Sequence, residues 1–199
     1  VEQFQQLMNY FEDVLKEGDI VFLAGNAAPG LDESSYVEIA KLCYVRGIKL
    51  VLDTTKDLLL ACLPYHPFMI KPNLHELEEL FGVNIQTKEE MIDYAFKLRE
   101  KGARNVLISC GGEGAFLVNE IGQVFTSNTP KGMLINSVGA GDSMLAGFMA
   151  KFIETNDYRK SLKQGAASGS ATAFSVGIAT RELIEELIPQ IEITEISRQ

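Results

Sequence analysis

The chemistry in this sequence concentrates at Asn136-Ser137-Val138-Gly139-Ala140-Gly141-Asp142-Ser143, which leads directly into the apolar positions Met144, Leu145, Phe148, Met149 and Phe152. Those positions recur at helical spacing, so a helix with one buried face is expected to begin near Ala140. The first amides of such a helix lack intrahelical partners and, together with the macrodipole, attract an anion. Gly139 and Gly141 carry no Cβ and let a ligand approach the backbone. Phosphate suits that mouth. Asp142 adds a carboxylate to the same turn, which would repel a phosphate that merely rests there. It becomes useful where a hydroxyl must lose its proton beside a phosphoryl group in transfer. An acidic residue in a first turn is also ordinary helix chemistry, and Gly-x-Gly-Asp alone is a short string.

Other residues could serve the same chemistry. Asn73 and Glu76 lie three apart at an expected helix start, hence on one face. Asn at the cap with Glu at the third helical position is close to a capping box. The other reading has the pair orienting waters around magnesium, an ion that keeps most of its water shell. Lys71, just before Pro72, could reach a nucleotide phosphate or simply be solvated. Ser109-Cys110-Gly111-Gly112-Glu113-Gly114 follows an apolar run and lets amides approach a triphosphate, although a plain tight turn explains it as well. It has neither the dinucleotide-binding spacing nor a following Gly-Lys-Ser/Thr, so neither a Rossmann cofactor site nor a P-loop is supported. The small residues from Gly165 to Ala173 suit close helix packing or, beside a site, room for a flat adenine ring. No His or Cys stands near Ser109 or Ser143 at a spacing that suggests a nucleophilic triad.

Positioning these groups requires alternating strands and helices. Phe4, Leu7, Met8, Phe11, Val14 and Leu15 mark an amphipathic opening helix. Ile20 to Ala24 reads as a strand buried on both faces that feeds the loop Gly25-Asn26-Ala27-Ala28-Pro29-Gly30. A helix capped by Ser34 should run to Arg46 and stop at Gly47, with Tyr36, Val37, Ala40 and Leu42 inward. Strands are expected at 49–53, 68–70, 105–109 and 115–118, the last with a hairpin partner at 121–126. Helices are expected at 56–63, 88–101 (opened by Thr87), 158–174 and 181–187. Residues 192–199 read as polar and loosely held. The alternation implies βαβ units, a mostly parallel sheet with helices on both faces, and one α/β domain over residues 1–199.

Composition narrows the function. A length of 199 residues gives one α/β domain a sizeable core, and a net charge of −9 argues against nucleic acid or an anionic membrane as partner. Any phosphate must therefore be held by local devices. Cys43, Cys62 and Cys110 are odd in number and set in apolar runs, the pattern of buried free thiols in a reducing compartment. His66 and His75 have no partner at metal-ligand spacing, so no zinc site is expected. No apolar run approaches the roughly 18 residues of a membrane span and no signal peptide is visible, so a cytoplasmic protein is expected. The chain opens on Val1 and goes straight into a helix, which reads as a fragment of something longer.

Lys71-Pro72-Asn73 through Glu76, Ser109 through Gly114, and Val138-Gly139-Ala140-Gly141-Asp142-Ser143, in that order, resemble the phosphofructokinase-B type, ribokinase-like carbohydrate kinases. The loop Gly25 to Gly30 and the run Gly169-Ser170-Ala171-Thr172-Ala173-Phe174 place the resemblance nearest the 1-phosphofructokinase and tagatose-6-phosphate kinase branch. The resemblance implies a ribokinase-like, Rossmann-like sheet and ATP-dependent phosphorylation of a sugar-phosphate hydroxyl, fructose 1-phosphate giving fructose 1,6-bisphosphate. It implies Asp142 as the base and the amides of Gly139, Ala140 and Gly141 as the anion hole. Asn73 and Glu76 would handle Mg²⁺ with ATP, the ion being held through water, with Lys71 nearby. Ser109, Gly111 and Gly114 would line the nucleotide pocket, Ser170 would border the base, and Gly25 and Asn26 would meet the substrate. A monovalent cation near Asn136, Val138, Ser175 and Gly177 belongs to the same resemblance. Relatives usually carry Gly-Ser-Leu-Pro where this chain has Gly25-Asn26-Ala27-Ala28, and they are considerably longer. The first strands, the lid and most of the sugar-gripping groups are expected to be missing, along with the lid through which a homodimer would form. The alternatives are a tagatose-6-phosphate kinase and a nucleotide-binding fragment without kinase turnover.

Overall fold

The computed structural model describes residues 2–25, 30–54 and 56–197. The chain divides into two compact units, Val1–Val106 and Leu107–Gln199. The first contains α1 (Glu2–Val14), β1 (Ile20–Gly25), α2 (Glu33–Arg46), β2 (Lys49–Thr54), α3 (Lys56–Cys62), β3 (Met69–Ile70), α4 (Leu74–Phe81) and α5 (Lys88–Glu100). The strand β4 (Asn105–Ser109) begins there. All pairings in this unit are parallel: Val21 lies opposite Leu50, Leu52 opposite Ile70, and Met69 opposite Asn105. Leu50, Val51, Leu52, Met69, Ile70 and Val106 are at most 2% exposed, as strands covered on both faces require.

β1 departs from expectation. Val21 alone is buried in it, and Phe22 is 47% exposed. Among the described residues β1 pairs only with β2, so it behaves as an edge strand. The cap of α2 also differs from the sequence reading. Asp32, two residues before Ser34, accepts from the Ser35 amide at 3.2 Å and from the Ser34 hydroxyl at 2.6 Å. A carboxylate accepts more strongly than a hydroxyl, so Asp32 takes the cap and Ser34 supports it. The Ser34 hydroxyl, followed by the Ser35 amide, holds the Asp32 carboxyl below its ordinary value. Gly47 ends α2 with φ 68°, as its position suggested. Arg46 reaches back from the last turn of α2 to the carbonyls of Phe11, Glu12 and Leu15, satisfying acceptors at the end of α1. Ile39 and Cys43 are buried beside Tyr36 and Ala40, whereas Val37 and Leu42 are half-buried.

Cys43 and Cys62 are buried free thiols, and Cys110 is half-buried. Burial pushes the Cys43 thiol up to about 11. Burial, then Glu33 and Cys43, push Cys62 up to about 12. Thiols ordinarily ionise near 9.0, so above that pH the unfolded chain releases protons that the folded chain retains. The stability is complete below pH 9 and falls as pH rises toward the folded values. Tyr36, raised by burial and then by Cys62, adds to the same slope. Urea midpoints measured from pH 8 to 11 should therefore decline, and a Cys43→Ala/Cys62→Ala variant should show a shallower decline.

The second unit contains the rest of β4 with β5 (Ala115–Val118), β6 (Val124–Ser127), α6 (Ala140–Thr155), α7 (Tyr158–Ala173), α8 (Arg181–Leu187) and β7 (Ile193–Ile196). β5 and β6 form an antiparallel hairpin with Val118 opposite Val124. A connection this short permits nothing else. Asn119 organises the turn: its Oδ1 accepts from the Ile121 and Gln123 amides at 3.2 and 2.8 Å. The stretch at 192–199, expected to be loosely held, instead supplies β7, paired antiparallel to β6 with Ile193 opposite Ser127. Ile193 and Ile196 are half-buried while Thr194 and Glu195 face solvent, a pattern too short to stand out in a polar tail.

Helices α6 and α7 pack at backbone distance. A Cβ on Gly165 would lie 2.8 Å from Met144 O, one on Gly169 3.0 Å from Ala140 O, and one on Gly147 2.3 Å from Ser168 Oγ. The small-residue run of α7 is thus accounted for by close helix packing. Below it, Ala166, Ala167 and Ala171 join Leu187 and Ile191 in a buried cluster. Gly165→Ala should destabilise the protein by about 1–3 kcal/mol, because the clash is with backbone and one helix must move. Thermal or denaturant unfolding measures this directly.

Candidate functional site

The mouth of α6 is built by what its sequence omits. Asp32, Asn73, Thr87, Asp157 and Thr180 cap α2, α4, α5, α7 and α8 with side-chain oxygens. The cap of α6 is Gly139 at φ 79°, which has no side chain to contribute. That conformation favours glycine, and the first amides of the helix are left without a side-chain acceptor. The Ala140 amide already donates to Ser137 O at 3.2 Å, and Ser143 N closes the first helical bond to Gly139 O at 2.9 Å. Asp142 stands between them with an exposed side chain. A carboxylate in water at an uncapped helix start can approach a ligand, which a buried one could not.

The surroundings of this mouth are apolar and open. Met133 is 76% exposed, Leu134 67%, Val138 79%, and Val176 and Ile178 84% each. Asn136 joins two segments that carry these side chains. Its Nδ2 donates to Val176 O at 3.2 Å, its Oδ1 accepts from the Val138 amide at 3.0 Å, and its own amide donates to Ala173 O at 3.1 Å. Ser170 is half-buried in α7, and Ser175 donates its hydroxyl to Ala171 O. Exposed aliphatic side chains in such number call for an occupant. The sequence reading named none of them apart from Val138, because lone apolar residues in loops carry no periodic signal.

The glycine-rich loop after β4 is a closed turn. The Cys110 amide donates to Gly114 O at 2.9 Å, Glu113 N to Cys110 O, and Gly114 N to Gly111 O. Gly111 and Gly112 are exposed with open space where a Cβ would lie. Gly114 is buried at φ 94°, and a Cβ there would meet Ser127 O at 1.9 Å, so packing alone requires it. Ser109 is half-buried. A cleft of about 540 Å³ lies elsewhere in this unit, among Gly147, Lys151, Glu154, Gln164, Arg181 and Glu185. Asp142 is not part of its lining, so size alone does not mark the chemistry.

In the first unit, Lys71 is neither solvated nor isolated. It is 6% exposed and its Nζ lies 3.1 Å from Asp53 Oδ2. Both residues stand at carboxyl ends of parallel strands, β2 for Asp53 and β3 for Lys71, where such sheets place ligands. One ammonium proton serves Asp53, and a lysine has three. Asn73 and Glu76 form a complete capping box: Asn73 Oδ1 accepts from Glu76 N at 2.9 Å, and Asn73 N donates to Glu76 Oε2 at 2.8 Å. Glu76 also lines a cavity of about 210 Å³ with Thr54, Lys56, Leu59, Pro72 and Leu80. Gly25 ends β1 at φ 81°, with its carbonyl accepting from Thr54 Oγ1 at 2.9 Å. Asn26 lies outside the described residues. Among the described residues no three His, Cys, Asp or Glu side chains are gathered to hold a metal, and no helix is long and apolar enough to cross a membrane.

Residues 1–184 match the family model of the pfkB family carbohydrate kinases. The chain belongs to this family. Among curated relatives of this pfkB chain, a 1-phosphofructokinase of Bacillus subtilis is 42% identical over 196 residues, covering 98% of the chain and 64% of the relative. A D-tagatose-1-phosphate kinase of Bacillus licheniformis is 33% identical, with 96% and 63% covered. A Staphylococcus aureus crystal structure, provisionally assigned as a phosphofructokinase, matches with a TM-score of 0.93 at 35% identity, covering 100% of this chain and 64% of that one. Phosphofructokinase-2 of Escherichia coli, solved with substrates and products, shares the fold with a TM-score of 0.87 at 23% identity. The pfkB chain thus spans less than two thirds of the length of these relatives. The sequence alone marks Asp53 as a polar group at a strand's carboxyl end, where such sheets put their ligands, but gives no sign of its pairing with Lys71. Asp53→Ala should cost roughly 3 kcal/mol in denaturant unfolding, because the Lys71 ammonium would be left buried without its counter-charge.

Proposed function

We propose that the protein carrying this chain is an ATP-dependent sugar-phosphate kinase that forms fructose 1,6-bisphosphate from fructose 1-phosphate. The observation that carries the proposal is an exposed Asp142 in the first turn of a helix without a side-chain cap, in a chain matching the pfkB family over residues 1–184. In this reading Asp142 accepts the proton of the attacking sugar hydroxyl. The amides at Gly139 to Gly141 hold the equatorial phosphoryl oxygens as negative charge shifts between them. Gly139 and Gly141 carry most of that duty, since the Ala140 amide has a partner in Ser137 O. The exposed aliphatic residues Leu134, Val138, Val176 and Ile178 suit the faces of a purine with Ser170 at its border, and Gly111 and Ser109 suit the rest of the nucleotide.

Lys71, fixed by Asp53, supplies positive charge for a phosphate. Bound Mg²⁺ would neutralise phosphate charge. Glu76 fits a role toward it through water: it is exposed, and its capping bond uses only Oε2. A monovalent cation near Asn136, Val138, Ser175 and Gly177, substrate contacts from Gly25 and Asn26, a cytoplasmic location and the reading of residues 1–199 as one α/β domain belong to the same proposal. A second substrate, tagatose 1-phosphate, is favoured by the names of two relatives of about 30–33% identity. Both named activities point to a 1-phosphate and away from tagatose 6-phosphate.

Asp142→Asn should lower kcat at least about a hundredfold while ATP affinity stays within a few fold, since a base of this kind contributes roughly 10²–10⁴. Coupled ADP release with fructose 1-phosphate, tagatose 1-phosphate and tagatose 6-phosphate measures it. Near-normal turnover in the variant would remove Asp142 from the mechanism. Thermal stabilisation by ATP without sugar-dependent ADP release in the wild type would identify a nucleotide-binding module instead.

A further inference from the structure

Thr172 is 1% exposed, one residue before the end of α7, and its side chain reaches two other segments. Its Oγ1 donates to Ser143 Oγ, in the first turn of α6, at 2.9 Å. The same oxygen accepts from the Ala179 amide at 3.3 Å. Its methyl carbon faces the helix mouth, since a Cβ built on Gly139 would lie 4.0 Å from Thr172 Cγ2. Ala179 directly precedes Thr180, the cap of α8. The exposed segment carrying Val176 and Ile178 is therefore fastened at one end by Thr172 and near its middle by Asn136.

The hydroxyl is not needed by α7 itself. A helix accepts Ala or Val at such a position, and this face of α7 is otherwise filled by Gly165, Ser168 and Gly169. What the hydroxyl supplies is a link between the first turn of α6 and the loop that ends at Ala179. We propose that Thr172 is a positioning residue for phosphoryl transfer, holding Asp142 and the amides beside it in register with the Val176–Ile178 loop through Ser143; this rests on the kinase reading above. Donors aimed at a transferring phosphoryl act only if preorganised, and a displacement on the order of 1 Å can cost a hundredfold in rate.

Three single variants and the Thr172→Val/Ser143→Ala double variant test it. Thr172→Val keeps the shape and removes the hydroxyl, and should lower kcat about tenfold or more with KM for the sugar phosphate within twofold. Thr172→Ser restores the hydroxyl and should return kcat to within about threefold of wild type, even though it loses the methyl packing. Ser143→Ala removes the same link from the other side, keeps the assay available if Thr172→Val folds poorly, and should reproduce the kcat loss. The double variant should lie within twofold of either single variant, as expected for groups acting through one contact. A lower melting temperature with unchanged kcat in Thr172→Val and Ser143→Ala would overturn the proposal and leave Thr172 a stability residue. Failure of Thr172→Ser to recover kcat would overturn it as well. A wild type that neither turns over nor binds ATP would overturn the kinase reading and this role together, which separates that failure from one confined to Thr172.

Discussion

Two helices reach backbone contact only where the side chains between them vanish, and α6 and α7 arrange this with Gly147, Gly165 and Gly169. Each of these positions has a neighbouring atom within about 3 Å of where a Cβ would stand. At such spacing the last turns of α7 lie against the first turn of α6, close enough for Gly169 to face Ala140 O and for Thr172 to bond Ser143. Everything at the mouth of α6 follows from that approach. A bulkier α7 would keep the elements of the second unit and lose the register that orients Asp142.

Capping gives the second theme. Most of the helices with a described start satisfy their first amides with an Asp, Asn or Thr oxygen, twice with a full capping box. α6 gives up roughly a few tenths of a kcal/mol of such stabilisation by placing glycine there. A helix that forgoes a cap leaves its N–H groups for something else. The exposed carboxylate in the same turn and the family match turn that local omission into a kinase proposal, where either alone would be ordinary.

The first unit makes its contribution differently. Parallel strands covered on both faces bring Asp53 and Lys71 to neighbouring carboxyl ends, and burial removes water from between them. An ion pair in such a place holds a lysine in one orientation at a desolvation cost that surface pairs avoid. The capping box at Asn73 and Glu76 serves stability with one carboxylate oxygen and leaves the residue exposed at a small cavity. One short stretch of chain thereby carries both a structural and a proposed functional duty.

The sequence by itself determined the element order as far as α8, the start of α6, the caps at Thr87 and Gly47, and the motifs that place the chain in its family. These are local: each is decided by residues within one or two turns, through propensity, capping geometry or glycine's access to positive φ. Only tertiary structure decided the rest. Phe22 is exposed because β1 lies at an edge, and Ile193 to Ile196 form a strand because β6 offers them partners. Lys71 is buried because Asp53, eighteen positions earlier, stands beside it, and Thr172 matters because Ser143 and Ala179 arrive at its hydroxyl from segments distant in the chain. Partners like these are chosen by pairing and packing between remote segments, a property that no window of sequence contains.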